Sequence, residues 1–264
     1  MSHRWDPTLY AEYADERGRP FGELLARVAA EGPRTVVDLG CGTGSLTATL
    51  RRRWPEAAVR GVDSSPDMID QADRSTGVTY ELADLRDWRP EQPVDVLVSN
   101  AALQWVPGHL DLLGGLVGSV APGGWLAIQV PGNFEEPSHV LRQELAAAPR
   151  FAPHLVGVRS PAAHDPGTYL QALQELGCRV DAWETTYLHV LTGEDPVFRW
   201  VAATGARPTL QALPDGVRAE FEDELRRALR AAYPSGPHGT VLPFRRVFVV
   251  ARTGSSDRHQ AGIA

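Results

Sequence analysis

The stretch that most constrains the fold is RTVVDLGCGTGSL at residues 34–46. A short apolar run ends in Asp38, and glycines follow at positions 40, 42 and 44. An apolar run that enters a glycine-rich turn is typical of a buried strand in a doubly wound α/β sheet, where ligands bind at the carboxyl ends of the strands. The stretch therefore predicts a strand, a ligand-binding turn and a helix that starts near Gly44.

Alternating segments continue this pattern as far as residue 132. Helical patterns at 44–55, 65–75 and 110–124 separate strand patterns at 57–65, 77–85, 94–103 and 125–132. The nearly continuous apolar run at 94–103 is typical of a central parallel strand. Ser65 before Pro66 is a helix-start signal. These residues predict a doubly wound, mostly parallel sheet.

The regular alternation of strand and helix patterns ends after residue 132. Helical patterns at 135–149 and 165–177 precede two long strand patterns at 178–192 and 241–253. We predict a seven-stranded, Rossmann-like sheet with a helical insertion at about 194–236 between its last two strands, over its carboxyl edge. The chain is predicted to form a single domain over 1–252, with a core at 34–132, an N-terminal helical segment at 5–32 and a disordered tail at 253–264.

Charge and cysteine content narrow the classes of function. The formal charge of −7 argues against nonspecific nucleic-acid binding. The two cysteines, Cys41 and Cys178, form no CxxC pair and suggest neither a disulfide framework nor a zinc site. The polar N-terminus and the lack of an apolar run of about 20 residues predict a cytoplasmic protein without a membrane span, and we expect a monomer.

The acid at the entrance of the glycine turn discriminates between ligands. Ser45 breaks the dinucleotide pattern GxGxxG, and no lysine follows as in a Walker loop. The Asp38 carboxylate would repel a pyrophosphate, but it suits a ligand that carries an ammonium group and a positive sulfur. S-adenosylmethionine (AdoMet) has both, and Gly40, Gly42 and Gly44 would let the backbone approach it closely.

Side chains after the next three strands fit the rest of this cofactor. Asp63, followed by Ser64, is placed to accept the ribose hydroxyls, and Asp84 to accept the adenine amino group. Met68 and Leu85 would flank the adenine ring, and Asn100 and Ala101 would line the cofactor. Taken singly, Asp63 could be a helix cap and Asp84 a surface acid, but the ordered set favours AdoMet.

This ordered set resembles the class I AdoMet-dependent methyltransferases over about residues 34–132. Longer motifs resemble the trans-aconitate 2-methyltransferase family over about residues 5–252; they include the segment 63–69, NAALQWVPGH, EPSHVLRQE, GCRVDAWETTYLHVL, WVAATGARP and RRVFVVA. The resemblance implies an O-methyltransferase that esterifies one carboxylate, by implication at the 2-position, of trans-aconitate or a similar small anionic polycarboxylate. S-adenosylhomocysteine would be the other product.

An ionised carboxylate is already a nucleophile near neutral pH. Such an enzyme needs no metal and no general base for an in-line SN2 transfer, but it needs cations around the other carboxylates. The substrate-binding candidates are Tyr10, Arg17, Arg19, Trp105, Tyr187, His189, Trp200, Arg207 and Arg246. Tyr187 and His189 would share one face of a strand and orient the substrate. Any single arginine could instead form a surface ion pair, and His109 is interpreted as structural.

The sequence leaves two alternatives open. The chain could methylate another small molecule, such as a phenol, an amine or a biosynthetic intermediate, and this chemistry usually needs a base or a metal. It could also be a nucleotide-binding or regulatory module with a degenerate loop and not an enzyme of this type, although the intact DLGCGTG motif and Asp63 argue against that hypothesis.

Overall fold

A computed structural model of the protein describes the backbone of residues 14–254 and the side chains of residues 18–254. The chain divides into two compact units. The described residues of the first, here called the sheet unit, are 15–130, 164–184 and 247–254. The second, here called the helical unit, contains residues 131–163 and 185–246.

The central strands of the sheet unit, TVVDL and VDVLVSN, are rich in valine and leucine and largely buried, as is typical of central parallel strands. The strands that lie in it wholly or in part are β1 Thr35–Leu39, β2 Ala58–Asp63, β3 Thr79–Leu82, β4 Val94–Asn100, β5 Val120–Pro131, β6 Arg179–Leu191 and β8 Gly239–Arg252. In this unit they lie in the order β3-β2-β1-β4-β5-β8-β6. β1 pairs in parallel with both β2 and β4, in register Asp38↔Gly61 and Asp38↔Val98. The predicted doubly wound, mostly parallel sheet is confirmed.

The sheet unit also contains helices before and between its strands. They are α1 Ala14–Ala26, α2 Thr47–Arg53, α3 Pro66–Asp70, α4 Leu113–Gly118 and α6 Pro166–Glu175. Side chains such as Leu24 and Leu50 on the helices and Val62, Leu97 and Phe248 on the strands are fully buried. Burial of these apolar side chains stabilises the unit and fixes the strand ends that carry the polar residues described below.

The helical unit has its own core. Its helices are α5 Pro137–Ala146, α7 Pro196–Ala202, α8 Arg207–Ala212 and α9 Asp215–Ala232. Phe151, Trp200, Phe221, Leu225 and Phe244 belong to one buried apolar cluster in this unit. A two-residue strand, β7 Ser235–Gly236, pairs antiparallel with the start of β8. This strand is additional to the seven that were predicted.

Three predicted boundaries differ from the structure. The helix after the glycine turn begins at Thr47 and not near Gly44, because residues 40–46 form turns first. The helix predicted over 110–124 ends at Gly118, and β5 begins at Val120, since the Pro-Gly pair lies within an irregular strand start. The single helix expected from DPVFRWVAATG ends at Ala202, and Pro208 lies in the first turn of the next helix.

The predicted ends of the chain are described only in part. Residues 5–13 and 255–264 lie outside the described residues. Thr253, within the predicted tail, donates through its backbone N–H to Gly124 O at 3.0 Å. Over residues 14–254, no helix has the length and apolar content that a membrane crossing requires.

Candidate functional site

Asp38 lies at the carboxyl end of β1 and is almost fully buried, with 3% of its surface exposed. The Thr47 hydroxyl at the start of α2 donates to its Oδ2 at 2.6 Å. Burial raises the pKa of Asp38 to about 6, and the neighbouring carboxylate of Asp63 also raises it. A positive group placed beside Asp38 would therefore gain a strong electrostatic interaction, because few other charges and little water compensate the carboxylate.

Asp63 at the end of β2 holds the glycine turn. Its Oδ2 accepts from the Gly42 N–H at 2.8 Å, and its Oδ1 accepts from the Ser65 N–H at 2.9 Å. A carboxylate has about four acceptor positions, so both oxygens retain capacity for further donors. The same side chain can thus fix the loop and accept ribose hydroxyls.

The three glycines of the turn serve different purposes. All three have positive φ, which glycine adopts at little cost. A Cβ at Gly40 would lie 2.2 Å from the Ala102 Cβ, and one at Gly44 would lie 2.2 Å from the Tyr80 hydroxyl, whereas one at Gly42 would meet nothing within 4 Å. Protein atoms thus fill the Cβ direction at Gly40 and Gly44 and leave it open at Gly42, and the cofactor-binding role of the three glycines stays a prediction.

Asp84 follows β3 and is engaged by a neighbour that the sequence did not suggest. Arg86 Nε donates to Asp84 Oδ1 at 3.0 Å and Arg86 Nη2 to Oδ2 at 2.5 Å. These hydrogen bonds hold the pKa of Asp84 below its usual range. Met68 is buried, Leu85 is half-buried and Ser64 is exposed. Asp84 is thus a fixed anion, and the donors of Arg86 already occupy some of its acceptor positions.

The chain after β4 has an unusual backbone conformation. Ala101 has φ 54°, a left-handed value that costs a non-glycine residue about 1 kcal/mol or more. Its N–H donates to Gln129 O at 2.8 Å, and its carbonyl accepts from Gln104 Nε2 at 2.6 Å. Asn100 Oδ1 is buried and accepts no hydrogen bond within the described part of the chain. Such strain beside an unsatisfied acceptor is typical of a ligand site.

Two further side chains follow this segment. Trp105 ends a short 3₁₀ helix, Leu103–Trp105, and is half-buried. His109 is buried, and its Nδ1 lies 3.2 Å from Val106 O and its Nε2 2.6 Å from the Tyr169 hydroxyl. The carbonyl can only accept, so Nδ1 carries the proton and Nε2 accepts from Tyr169. Burial lowers the pKa of His109, and this arrangement supports a structural role.

The helical unit brings together several of the predicted substrate residues. Tyr187 and His189 alternate to the same buried face of β6, and their rings stack with centroids 6.1 Å apart. The His189 ring stacks on Trp200 at 4.8 Å, and Trp200 lies 5.5 Å from Phe244. The Arg246 guanidinium lies 4.5 Å from the centre of the Phe244 ring. The result is a buried aromatic wall with a cation at one end.

The remaining arginine candidates have other positions. Arg207 begins α8 and is half-buried. Arg19 in α1 is exposed and pairs with Glu23 at 3.1 Å. Tyr10 and the side chain of Arg17 lie outside the described residues. Within residues 18–254 no group of three or more His, Cys, Asp or Glu side chains is arranged to hold a metal ion.

The sequence interpretation missed two buried polar side chains of α5, His139 and Arg142. Both lie in the motif EPSHVLRQE, which was used only for resemblance. Their spacing of three residues places them on one helical face. This spacing is the feature of the sequence from which the pair could have been identified.

Comparison with known proteins agrees with this geometry. A family profile described as "Methyltransferase domain" matches residues 36–124. The chain is 50% identical over 258 residues to a trans-aconitate 2-methyltransferase of Streptomyces avermitilis, covering 94% of this chain and 96% of that protein. It is 51% identical over 263 residues to one of Streptomyces coelicolor, covering 94% and 86%.

A solved structure supports the fold. The geranyl diphosphate C-methyltransferase of Streptomyces coelicolor superimposes with a TM-score of 0.53 at 18% identity, covering 92% of this chain and 82% of that one. At this level of identity the similarity concerns the arrangement of helices and strands alone.

Proposed function

Because the chain belongs to the trans-aconitate 2-methyltransferase family, we propose that it transfers the methyl group of AdoMet to one carboxylate of trans-aconitate. The observation that carries the proposal is the arrangement at the ends of β1 and β2. There Asp38 is buried behind a glycine turn that Asp63 holds through Gly42. That arrangement suits a ligand with a positive centre and a ribose, and it disfavours a pyrophosphate.

The residues of the sheet unit fit AdoMet part by part. Asp38 would pair with the ammonium group and Asp63 would accept the ribose hydroxyls. Gly42, the glycine with open space beside it, would let the cofactor approach the backbone. Asp84, Met68 and Leu85 would surround the adenine, with Ser64 near the ribose and Asn100 and Ala101 along the cofactor. When bound, AdoMet supplies a methyl group on a positive sulfur.

The helical unit supplies groups that suit a polycarboxylate. Arg246 would pair with a carboxylate, and its position on the Phe244 ring limits its motion. Tyr187 and His189 would orient the same acid against Trp200, and Arg207 adds a second cation. Tyr10, Arg17, Arg19 and Trp105 stay in the proposal as predicted contacts. A guanidinium group binds a carboxylate in bidentate fashion. Two such groups would therefore favour a substrate with several carboxylates over a substrate with one.

No side chain has to remove a proton in this reaction, since the accepting carboxylate is ionised near neutral pH. The protein's contribution is to hold the carboxylate oxygen in line with the methyl–sulfur bond and to exclude water. The products are a methyl ester and S-adenosylhomocysteine. We propose that the enzyme works without a metal, as a monomer, in the cytoplasm.

The test is transfer of radiolabelled methyl groups from AdoMet to a series of di- and tricarboxylates. We expect a base-labile product with trans-aconitate, and the same rate with and without a chelator. A base-stable product, or transfer only to phenols or amines, would overturn the proposed acceptor. Calorimetry with AdoMet and NAD tests the cofactor separately, because a preference for NAD would contradict the role given to Asp38.

A further inference from the structure

Arg142 in α5 is a buried cation within the helical unit. Only 3% of its surface is exposed. Its Nη1 donates to the Thr209 hydroxyl at 3.0 Å, and its Nη2 lies 3.5 Å from the Ser160 hydroxyl. Both partners are neutral. The guanidinium is thus held in place by α8 and by the segment after α5, but neither contact neutralises its charge.

Arg142 also has unused hydrogen-bonding capacity. Its Nε is buried and has no acceptor within residues 18–254, and among those residues no carboxylate offsets its charge. Burial lowers the pKa of Arg142 without any opposing negative partner. Buried arginines are ordinarily paired, because an unpaired buried charge costs several kcal/mol. This position therefore lacks an anion.

His139 provides a second group at the same place. It lies one helical turn before Arg142, and burial together with the positive charge of Arg142 lowers its pKa to about 4. Its Nδ1 is buried without a hydrogen-bond partner in the described chain. Its ring packs edge-on against Phe134 at 5.0 Å, and a Cβ at Gly205 would lie 2.7 Å from it. The ring is held in place, and at neutral pH it is an uncharged hydrogen-bonding group.

We propose that Arg142, assisted by His139, binds one of the carboxylates of the substrate that is not methylated. This inference rests on the proposed function, because it assumes a substrate with more than one carboxylate. An incoming carboxylate would accept from the free Nε–H of Arg142 and supply the missing negative charge. Arg142 is then a specificity-determining residue, since a substrate without that carboxylate would leave the buried cation unpaired.

The experiment measures binding of trans-aconitate to the full-length protein saturated with S-adenosylhomocysteine, by calorimetry. Arg142→Gln should raise the Kd for trans-aconitate by about 10–100-fold, the range for a charged hydrogen bond, and leave the Kd for S-adenosylhomocysteine unchanged. Arg150→Gln is the matched control. Arg150 is an exposed arginine of the same unit, paired with Glu224, and its loss should change neither affinity.

A series of analogues separates binding from a structural role. Each analogue replaces one carboxylate of trans-aconitate by an amide. For the analogue that lacks the carboxylate bound by Arg142, wild type and Arg142→Gln should have equal Kd, whereas the other analogues should keep the full difference. The inference would be overturned if Arg142→Gln weakened the binding of every analogue by the same factor. It would also be overturned if Arg142→Gln and the wild type bound trans-aconitate with the same Kd.

Two further measurements cover failure of Arg142→Gln to fold. Arg142→Lys keeps the charge but not the Nε–H, and it should still bind trans-aconitate about tenfold more weakly than the wild type. In the wild type, an arginine Nε–H resonance protected from solvent exchange should shift downfield when trans-aconitate is added. If the wild-type protein binds no polycarboxylate at all, the proposed function fails; if it binds them without these effects, only the role of Arg142 fails.

Discussion

The Asp63 carboxylate accepts the Gly42 N–H at 2.8 Å, so the acid at the end of β2 fixes the turn that follows β1. The same carboxylate accepts the Ser65 N–H at the start of α3. One side chain therefore positions two loops at the edge of the sheet where the cofactor is proposed to bind. Its two oxygens hold the loops in place, and recognition of the cofactor ribose by the same carboxylate is part of the proposed function.

Asp63→Asn should weaken AdoMet binding by about 10–100-fold, because an amide has one acceptor oxygen in place of two and carries no charge. Calorimetry with AdoMet measures this effect. Asp70→Asn is the control, since Asp70 is an exposed acid at the end of α3. This variant should bind AdoMet with the same affinity as the wild type. A normal Kd for Asp63→Asn would show that Asp63 is structural alone.

The glycines of the turn should respond differently to alanine. Gly44→Ala should lower the free energy of unfolding by about 2–4 kcal/mol, because the new Cβ meets the Tyr80 ring at a positive φ. Gly42→Ala carries the φ penalty of about 1 kcal/mol without that clash, but its methyl group should obstruct the cofactor. Denaturation and AdoMet titration of both variants check this. Equal stabilities would contradict the distinction between the two positions.

The affinity for AdoMet should depend on pH through Asp38, whose pKa is about 6. Only the ionised form attracts the ammonium group, so the Kd should be constant above about pH 7 and rise about tenfold per pH unit below pH 6. Asp38→Asn should bind weakly and lack this slope. The stability of the ligand-free protein should depend on pH in the opposite direction. Because folding raises the pKa of Asp38 from 3.8 to about 6, protonated Asp38 stabilises the fold fully below pH 3.8, and this stabilisation is lost as the pH rises through about 6.

His139 should make the protein sensitive to acid. Its pKa of about 4 in the folded state lies below the ordinary value of 6.5. Stability is therefore complete above about pH 6.5 and decreases as the pH falls toward 4, by about 3 kcal/mol for this group. Urea denaturation of wild type and His139→Gln at about pH 7 and about pH 4 measures the difference. If the free energies of unfolding of wild type and His139→Gln differ by the same amount at both pH values, His139 does not have the lowered pKa.

Much of the sheet was predictable, and so were the positions of the polar side chains at its strand ends, because both follow from local patterns. The strand ends at Asp38 and Asp63 follow from apolar runs of defined length. The shared face of Tyr187 and His189 follows from the two-residue repeat of a strand. These features depend on positions close together in the chain, so a single sequence contains them.

Other features depend on contacts between distant positions and could not be read from the sequence. Tyr80 is 36 residues from Gly44 in the numbering, yet its ring occupies the space beside that glycine. Arg142 resembles any arginine on a polar helix face until its burial is known. Burial of a charge results from packing, for which local periodicity gives no direct signal.

The uncompensated guanidinium of Arg142 has a consequence for the lifetime of the protein. If Arg142 binds a carboxylate as proposed, a molecule without that ligand carries an internal charge with no counter-ion, and it opens more readily than the complex. Proteases that act on transiently opened chains would then remove empty molecules first. Resistance to proteolysis would then increase with the concentration of a ligand that pairs with Arg142.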